Sequence, residues 1–397
     1  MTAPPDPSAT PPDLGPPATP PAAGANRWGA NREGGAAPPP VGAGRLDLVR
    51  ALADAAGADA ALVTHAPDLR WAVGFTGSNG LLVVTGKAAH FVTDGRYRAQ
   101  ADDEVEGADV HVPEGSLVDY VAEAGLLEGA GRVAVQAEHL TVAALDAYRE
   151  ALPAVEFSPV KDLLSEAVAA KDEAAIAAVA RAQALTCEVF DAVLPFLGPG
   201  VAERDIAAEI VYQHLRRGAS AMSFEPIVAS GPRGALPHAR PSSRTISPGE
   251  LVVIDMGCVL DGYCSDLTRT VAVGGEPHAS AREAYETVRR AQRAAVAAAR
   301  AGMLGGELDA VARDVIEADG LGEAFSHSLG HGVGLKVHEW PRLSQQVEHR
   351  LPAGATVTIE PGVYLPDRFG IRIEDLVVLR EGGADNLTPL PTDLLVV

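Results

Sequence analysis

Three histidines fall within the stretch HSLGHGVGLKVHE, at 327, 331 and 338, and Glu339 closes it. Glycines at 330, 332 and 334 argue against a regular helix, because each interior Gly costs roughly 0.5–1 kcal/mol relative to Ala. The histidines are therefore not set along one helical face. Carboxylates recur in two other stretches, each predicted as a pair of strands. In LVVIDMGCVLDGYCSDLTRTVAV, Asp255 and Asp266 flank a turn. A two-residue turn at Leu260-Asp261 sets them directly opposite one another. A turn at Asp261-Gly262, the better Asp-Gly type I′ signal, makes them diagonal neighbours. Both registers put the two carboxylates on one face, with Cβ atoms about 4.5–5.5 Å or about 7–8 Å apart. Like charges this close are unfavourable unless something positive sits between them. Asp255 also continues the apolar face of Leu251 and Val253, which directs it toward burial. A lone buried carboxylate costs several kcal/mol.

The second strand pair repeats the pattern. Glu360 ends the strand in TVTIEPG, and in GIRIED Arg372 and Glu374 share one face while Ile371 and Ile373 take the other. With one of the opening histidines there are five candidate metal ligands: two Asp, two Glu and one His. Hard oxygen donors with a single imidazole suit Mn²⁺, and also Co²⁺, Fe²⁺ or Zn²⁺. Four carboxylates exceed the need of one divalent ion. Two ions about 3.5–4 Å apart, bridged by two of the carboxylates, use them all.

These residues resemble the pita-bread metallopeptidases, in particular aminopeptidase P and prolidase. The resemblance runs through SFEPIVASGPRGALPHARP, VIDMGCVLDGYCSDLTRT, HSLGHGVGLKVHE, IEPGVY and GIRIEDLVV, and it is more specific after residue 170 than before. It implies an α/β (α+β) chain with a small creatinase-like N-terminal domain and a C-terminal pita-bread catalytic domain. By resemblance Asp255 binds one metal ion, His331 and Glu360 hold the other, and Asp266 and Glu374 bridge the two. His238 of the LPHA segment, His327 and His338 surround the substrate, and Arg372 supports a bridging carboxylate. The implied catalytic residues are Glu360 as general base, with His238 and His338 steadying the oxyanion. The implied reaction is metal-dependent hydrolysis of a peptide with proline second from its N-terminus, or of Xaa-Pro dipeptides alone. Less favoured are a creatinase-like hydrolase of small amidino compounds and a peptide-binding relative without catalysis; five retained ligands argue against both. Arg233-Gly234 stand where relatives commonly carry Asn and a small residue. His65, His90, His111, His139, His214, His278 and His349 are read as structural.

Two similar series of elements could hold these ligands. A long alanine-rich helix from Lys171 and a second helix after Gly200 precede the first strand pair. A helix through SAREAYETVRRAQRAAVAAARAG and one through ELDAVARDVIEADG precede the second. PGVAERDIAAEI and GGELDAVARDVI look alike, which hints at an internal two-fold duplication. Upstream, RLDLVRALADAAG, LVDYVAEAGLLEGAG and TVAALDAYREAL read as helices, and DAALVTH, GLLVVTG, HFVTDGR and RVAVQAE as strands. This alternation predicts an α/β domain over 45–165, with Pro159 to Lys171 as a link to a catalytic domain over 166–397. Residues 1–44 are Pro, Ala and Gly with few large apolar groups, a composition expected to stay disordered.

The chain has 397 residues, 47% of them hydrophobic, and a formal net charge of −21. That acidity excludes nucleic acid as an expected partner, because phosphate contacts need clustered Lys and Arg. No run approaches the ~18 apolar residues of a membrane span, and no secretory signal is seen. Cys187, Cys258 and Cys264 form no disulfide framework and suggest free thiols in the cytoplasm. The resemblance implies a homodimer or homotetramer.

Overall fold

The computed structural model describes residues 44–397. The expected tail falls, apart from Gly44, outside the described residues. Residues 45 to about 169 build a six-stranded sheet in the order Asp109–His111, Ala89–Val92, Leu81–Thr85, Ala60–Val63, Arg132–Gln136, Glu156–Val160. Its central strands are near-continuous apolar runs because both faces are covered, as in other α/β sheets. Leu62, Val63, Leu82, Val83 and Val84 are all fully buried or nearly so. Among the elements not anticipated here are the helices Ala66–Val73 and Arg98–Glu104, and the edge strands Asp109–His111 and Glu156–Val160. The stretch expected as a link is largely ordered structure. Its first residues complete the edge strand Glu156–Val160, and Ser165–Ala169 is a short helix. Pro159 disguises this strand, since proline is confined to sheet edges.

The second half holds two helix pairs, Glu173–Val193 with Glu203–Arg216 and Ala279–Ala298 with Gly305–Ala318. Each pair precedes a sheet of matching order. In the first, Glu250–Met256 lies between Ile227–Ser230 and Leu267–Val273. In the second, Thr356–Ile359 lies between Gly330–Gly332 and Asp375–Arg380. This is the internal pseudo-two-fold. Buried apolar residues of the helices fill the space behind the sheets: Phe190, Ile206 and Ile210 behind the first, Val288, Leu308 and Ile316 behind the second.

The first hairpin adopts the Asp-Gly turn. Asp261 and Gly262 both have positive φ, 49° and 74°, as type I′ requires. Leu260 then faces Tyr263, and the same register carries on to Asp255 opposite Thr268. Asp255 and Asp266 are diagonal neighbours. The second strand pair differs from expectation, because both strands break. Thr356–Ile359 and Gly362–Leu365 lie in different sheets, as do Phe369–Arg372 and Asp375–Arg380. Pro361 ends the first pairing because it has no N–H to donate. Glu360 and Glu374 thus sit at the points where the chain switches sheets. The glycine-rich run also contains a short strand, Gly330–Gly332, with a bulge between His331 and Gly332. Gly330 is required there, since a Cβ would lie 2.0 Å from the Thr358 carbonyl oxygen.

Candidate metal centre and substrate cavity

The pseudo-two-fold brings the candidate ligands together in pairs. Asp255 is the penultimate residue of the Glu250–Met256 strand, and Glu360 directly follows Thr356–Ile359, its counterpart. Asp266 and Glu374 each directly precede the strand that flanks the central one on its far side, Leu267–Val273 and Asp375–Arg380. Asp255, Asp266 and Glu374 offer oxygens within 4.8 Å of one another. His331 joins from the bulged strand, its Nε2 3.2 Å from Glu360 Oε1 and 3.7 Å from Asp266 Oδ2. Its Nδ1 is 3.1 Å from the Gly332 carbonyl, to which it donates, so Nε2 is the nitrogen that faces the cluster: protonated it pairs with Glu360, and on losing that proton it has a lone pair for a metal ion.

Arg372 is the guanidinium beside this group. Nη2 donates to Asp255 Oδ2 at 2.6 Å, Nε to Thr268 Oγ1 at 3.1 Å, Nη1 to the Tyr364 hydroxyl at 2.8 Å and to the Pro237 carbonyl at 3.3 Å. Thr268 in turn donates to Glu374 Oε2 at 2.7 Å. Thr358 donates to Glu360 Oε1 at 3.0 Å and accepts from the His331 amide at 3.0 Å. A buried Arg269 lies behind the cluster, pairing with Asp375 at 2.8 Å and donating to the Glu374 carbonyl. Thr268, Thr358, Tyr364 and Arg269 lie within the sequence motifs, but the motifs point to no role for them. Their signal was weak, because each acts across pairings that only the fold creates.

Burial pushes Asp255, Asp266 and Glu374 above the usual carboxylate range, Asp266 and Glu374 well above it, and neighbouring carboxylates add to the rise. Glu360 goes the other way. Burial acts against its ionisation, but the hydrogen bond and charge of His331 outweigh this and hold it at about 2. One arginine and one imidazole do not balance four buried carboxylates. Asp255 Oδ1 and Glu374 Oε1 are buried and bond to no protein group. Unpartnered carboxylate oxygens beside a lone imidazole nitrogen fit divalent cations.

The cluster lies in the wall of a cavity of about 1270 Å³. His238, His327 and His338 line the same cavity. His338 packs edge-on to His331 with ring centroids 4.4 Å apart, and burial pushes its pKa down, favouring the neutral ring. Burial likewise lowers His327, whose Nε2 accepts from the Tyr364 hydroxyl at 2.8 Å while Nδ1 donates to the Ser328 carbonyl at 2.8 Å. With both nitrogens engaged, His327 faces the cavity through its ring carbons. The loop carrying His238 is clamped by the buried Glu203, which accepts from Ser230 and Ser242 and pairs with Arg233 at 3.0 Å. This gives the unusual Arg233 a partner away from the metal cluster. The far wall comes from the N-terminal sheet domain, through Glu138, His139, Lys161 and Asp162.

Residues 177–381 match the model of metallopeptidase family M24. The chain belongs to metallopeptidase family M24. Residues 45–167 of this M24 chain match the Creatinase/Prolidase N-terminal domain. It is 38% identical to the Bacillus subtilis protein named Uncharacterized peptidase YqhT, over 89% of this chain and 100% of that one. The solved Xaa-Pro dipeptidase from Bacillus anthracis is similar at a TM-score of 0.87 and 36% identity, covering 89% of this chain and 99% of that one. The X-Pro aminopeptidase from Thermotoga maritima matches at a TM-score of 0.80 and 35% identity, over 86% and 98%. The M24 family brings divalent metal ions and hydrolysis, which the carboxylate cluster suits. Among the described residues no helix is long and apolar enough to cross a membrane. All three cysteines are buried and unpaired.

Proposed function

We propose that this protein hydrolyses the Xaa-Pro bond of peptides with proline in second position, releasing the N-terminal residue. The observation that carries the reading is the meeting of Asp255, Asp266, Glu374, Glu360 and His331 in one cavity with His238, His327 and His338. The names of similar proteins, which are Xaa-Pro dipeptidases and an X-Pro aminopeptidase, support it. In this reading Asp255, Asp266, His331, Glu360 and Glu374 would hold the ions, Asp255 toward one, His331 and Glu360 toward a second, with Asp266 and Glu374 serving both. Two divalent ions, Mn²⁺ in this proposal with Co²⁺, Fe²⁺ and Zn²⁺ as substitutes, supply Lewis acidity and a water that is nucleophilic near neutral pH.

The chain's own groups do the remainder. Glu360 takes a proton from the attacking water and returns it to the leaving nitrogen. That return matters because an Xaa-Pro bond is a tertiary amide whose leaving group is a secondary amine. His338 or His238 donates to the carbonyl oxygen as charge develops there. Arg372 fixes the Asp255 carboxylate, and through Tyr364 it also holds the ring of His327. The cytoplasm is the proposed setting, in keeping with three unpaired thiols, and a homodimer or homotetramer the proposed assembly.

A second reading, a strict Xaa-Pro dipeptidase, is favoured by the lysines at 161 and 336 in the cavity wall, which suit the carboxylate of a dipeptide. The cavity volume, above the about 300–1,000 Å³ common for small ligands, favours longer peptides. The test is to offer Mn²⁺-loaded protein Xaa-Pro dipeptides beside Xaa-Pro peptides of three to six residues. Release of the first residue from the longer peptides is expected. Cleavage of dipeptides alone would favour the second reading, and turnover of neither would overturn both.

A further inference from the structure

Glu339 directly follows His338 and opens the strand Glu339–Leu343. That strand pairs with Gly330–Gly332, and Glu339 stands opposite Gly332. Residues 333–338 between the two strands form no regular element. His338 is therefore the last residue of a loop, and the first residue fixed by strand pairing after it is Glu339. The edge-on contact of its ring with His331 depends on where this end of the loop is held.

The carboxylate of Glu339 is held by a lysine. Oε1 accepts from Lys171 Nζ, and the two side chains are each 4% exposed. Oε2 is buried and bonds to no protein group. Gly334, inside the loop, makes the space for this pair: a Cβ there would lie 2.5 Å from both Glu339 Oε1 and Lys171 Cε. A buried ion pair adds little net stability beside an apolar pair of the same shape, because desolvation offsets the attraction. Its better attested use is to select one arrangement.

Lys171 sits where the two domains join, between the helices Ser165–Ala169 and Glu173–Val193. The next residue, Asp172, caps the second helix by accepting from the Ala175 amide at 2.8 Å. Asp172 also pairs with Arg45 at 2.6 Å, and Arg45 donates to the Trp71 carbonyl at 2.6 Å. The junction is thus anchored to the N-terminal sheet domain on one side and, through Lys171, to the loop of His338 on the other. That same domain supplies the far wall of the cavity, so the wall and His338 are placed from one point.

We propose that Lys171 and Glu339 are positioning residues for His338, holding its ring beside the metal cluster from the domain junction. The inference rests on the reading above in which His338 donates to the carbonyl oxygen as charge develops. A displaced ring loses a contact made in the transition state, so the loss falls on kcat and not on KM.

The test uses the full chain loaded with Mn²⁺ and an Xaa-Pro tripeptide. Lys171→Met is expected to keep the wild-type metal content and KM. A displaced donor forfeits part of the roughly 10²–10³ that a lost one costs, so kcat should fall about tenfold. Lys171→Met/Glu339→Gln removes both charges and should regain thermal stability relative to Lys171→Met while kcat stays down, since the tie is still broken. Recovery of kcat together with stability would show the pair to be structural alone and overturn the proposal. In a His338→Ala background the double substitution should cost no further kcat, and a second loss of the same size would equally overturn it. A readout without turnover is the histidine ring signals in NMR of histidine-labelled, Zn²⁺-loaded protein. Those that His338→Ala removes should shift in the double variant, and unshifted signals would refute the positioning. A wild-type chain that cleaves no Xaa-Pro peptide would sink the peptidase reading by itself, and the ring signals would still decide this one. Circular dichroism establishes folding, and the double variant carries the test if Lys171→Met alone does not fold.

Discussion

Arg372→Met is the substitution that most directly tests how the carboxylate cluster is held. The guanidinium is 4% exposed and makes four contacts, to Asp255, Thr268, Tyr364 and Pro237. Met matches its stem and removes its charge. Taking one partner from a buried ion pair costs about 3–5 kcal/mol, because the other charge stays buried. Here the group left behind is Asp255, already crowded by Asp266, Glu360 and Glu374. A loss of about 3–5 kcal/mol is a large share of the ~5–15 kcal/mol that stabilises a typical fold. It should be seen in urea unfolding with chelator present, as a lower midpoint at unchanged slope. Divalent metal supplies replacement positive charge, so the deficit should shrink when Mn²⁺ is added. Arg372→Lys keeps the charge without the fork. It should recover part of the stability but leave kcat/KM at least about tenfold down, since an ammonium cannot hold Asp255 and Tyr364 together. A stability loss below about 1 kcal/mol in chelator, with wild-type kcat/KM once metal is added, would refute this account of Arg372.

Chelation should abolish peptide hydrolysis and Mn²⁺ should restore it; full activity in metal-free protein would remove the metal from the mechanism. Glu360→Gln should lower kcat by about 10²–10⁴, the range for loss of a general base, and weaken one metal ion in a titration. His238→Ala should leave metal content unchanged while kcat/KM falls about 10²-fold, as for loss of an oxyanion donor; loss of an ion in that variant would reverse the assigned roles. Burial lowers the His214 pKa to about 4 in the folded chain from the ordinary 6.5. Its neutral ring accepts from Thr186 and donates to the Ile210 carbonyl. As pH falls below 6.5 the unfolded chain takes the proton first, so the contribution of His214 is complete above that pH and is lost toward pH 4. With ~1.36 kcal/mol per unit, the loss is about 3 kcal/mol. His214→Gln should flatten that part of the stability–pH curve, and an unchanged slope would refute the assignment.

The features readable from sequence were those encoded within a few residues. Asp261-Gly262 carried its own turn type, which set Asp255 and Asp266 diagonally. The alternation of Arg372 and Glu374 with Ile371 and Ile373 placed both charged groups on one face. Helices such as Glu173–Val193 were long and strongly patterned. What escaped depended on distant partners. The break after Ile359 follows from the chain leaving one sheet for another, which TVTIEPGVYLP does not state. The engagement of both His327 nitrogens required Tyr364, which is 37 residues away. Glu138 and Lys161 entered the cavity wall only because the N-terminal sheet domain packs across from the catalytic cluster. Lys171 met Glu339 across a separation of 168 residues, because the domain junction packs against the strand after the glycine-rich loop.

The repeat of strand order has a consequence for the indivisibility of the centre. Each half contributes two carboxylates, at equivalent points of its sheet, and the second half adds the imidazole. A break in the connection at Gly274-Gly275, between the Leu267–Val273 strand and the Ala279–Ala298 helix, would leave two fragments. Neither could assemble the set alone. The cluster is in effect an interface between two near-copies joined by a tether. Its fidelity is that of a dimer whose partners never dilute apart.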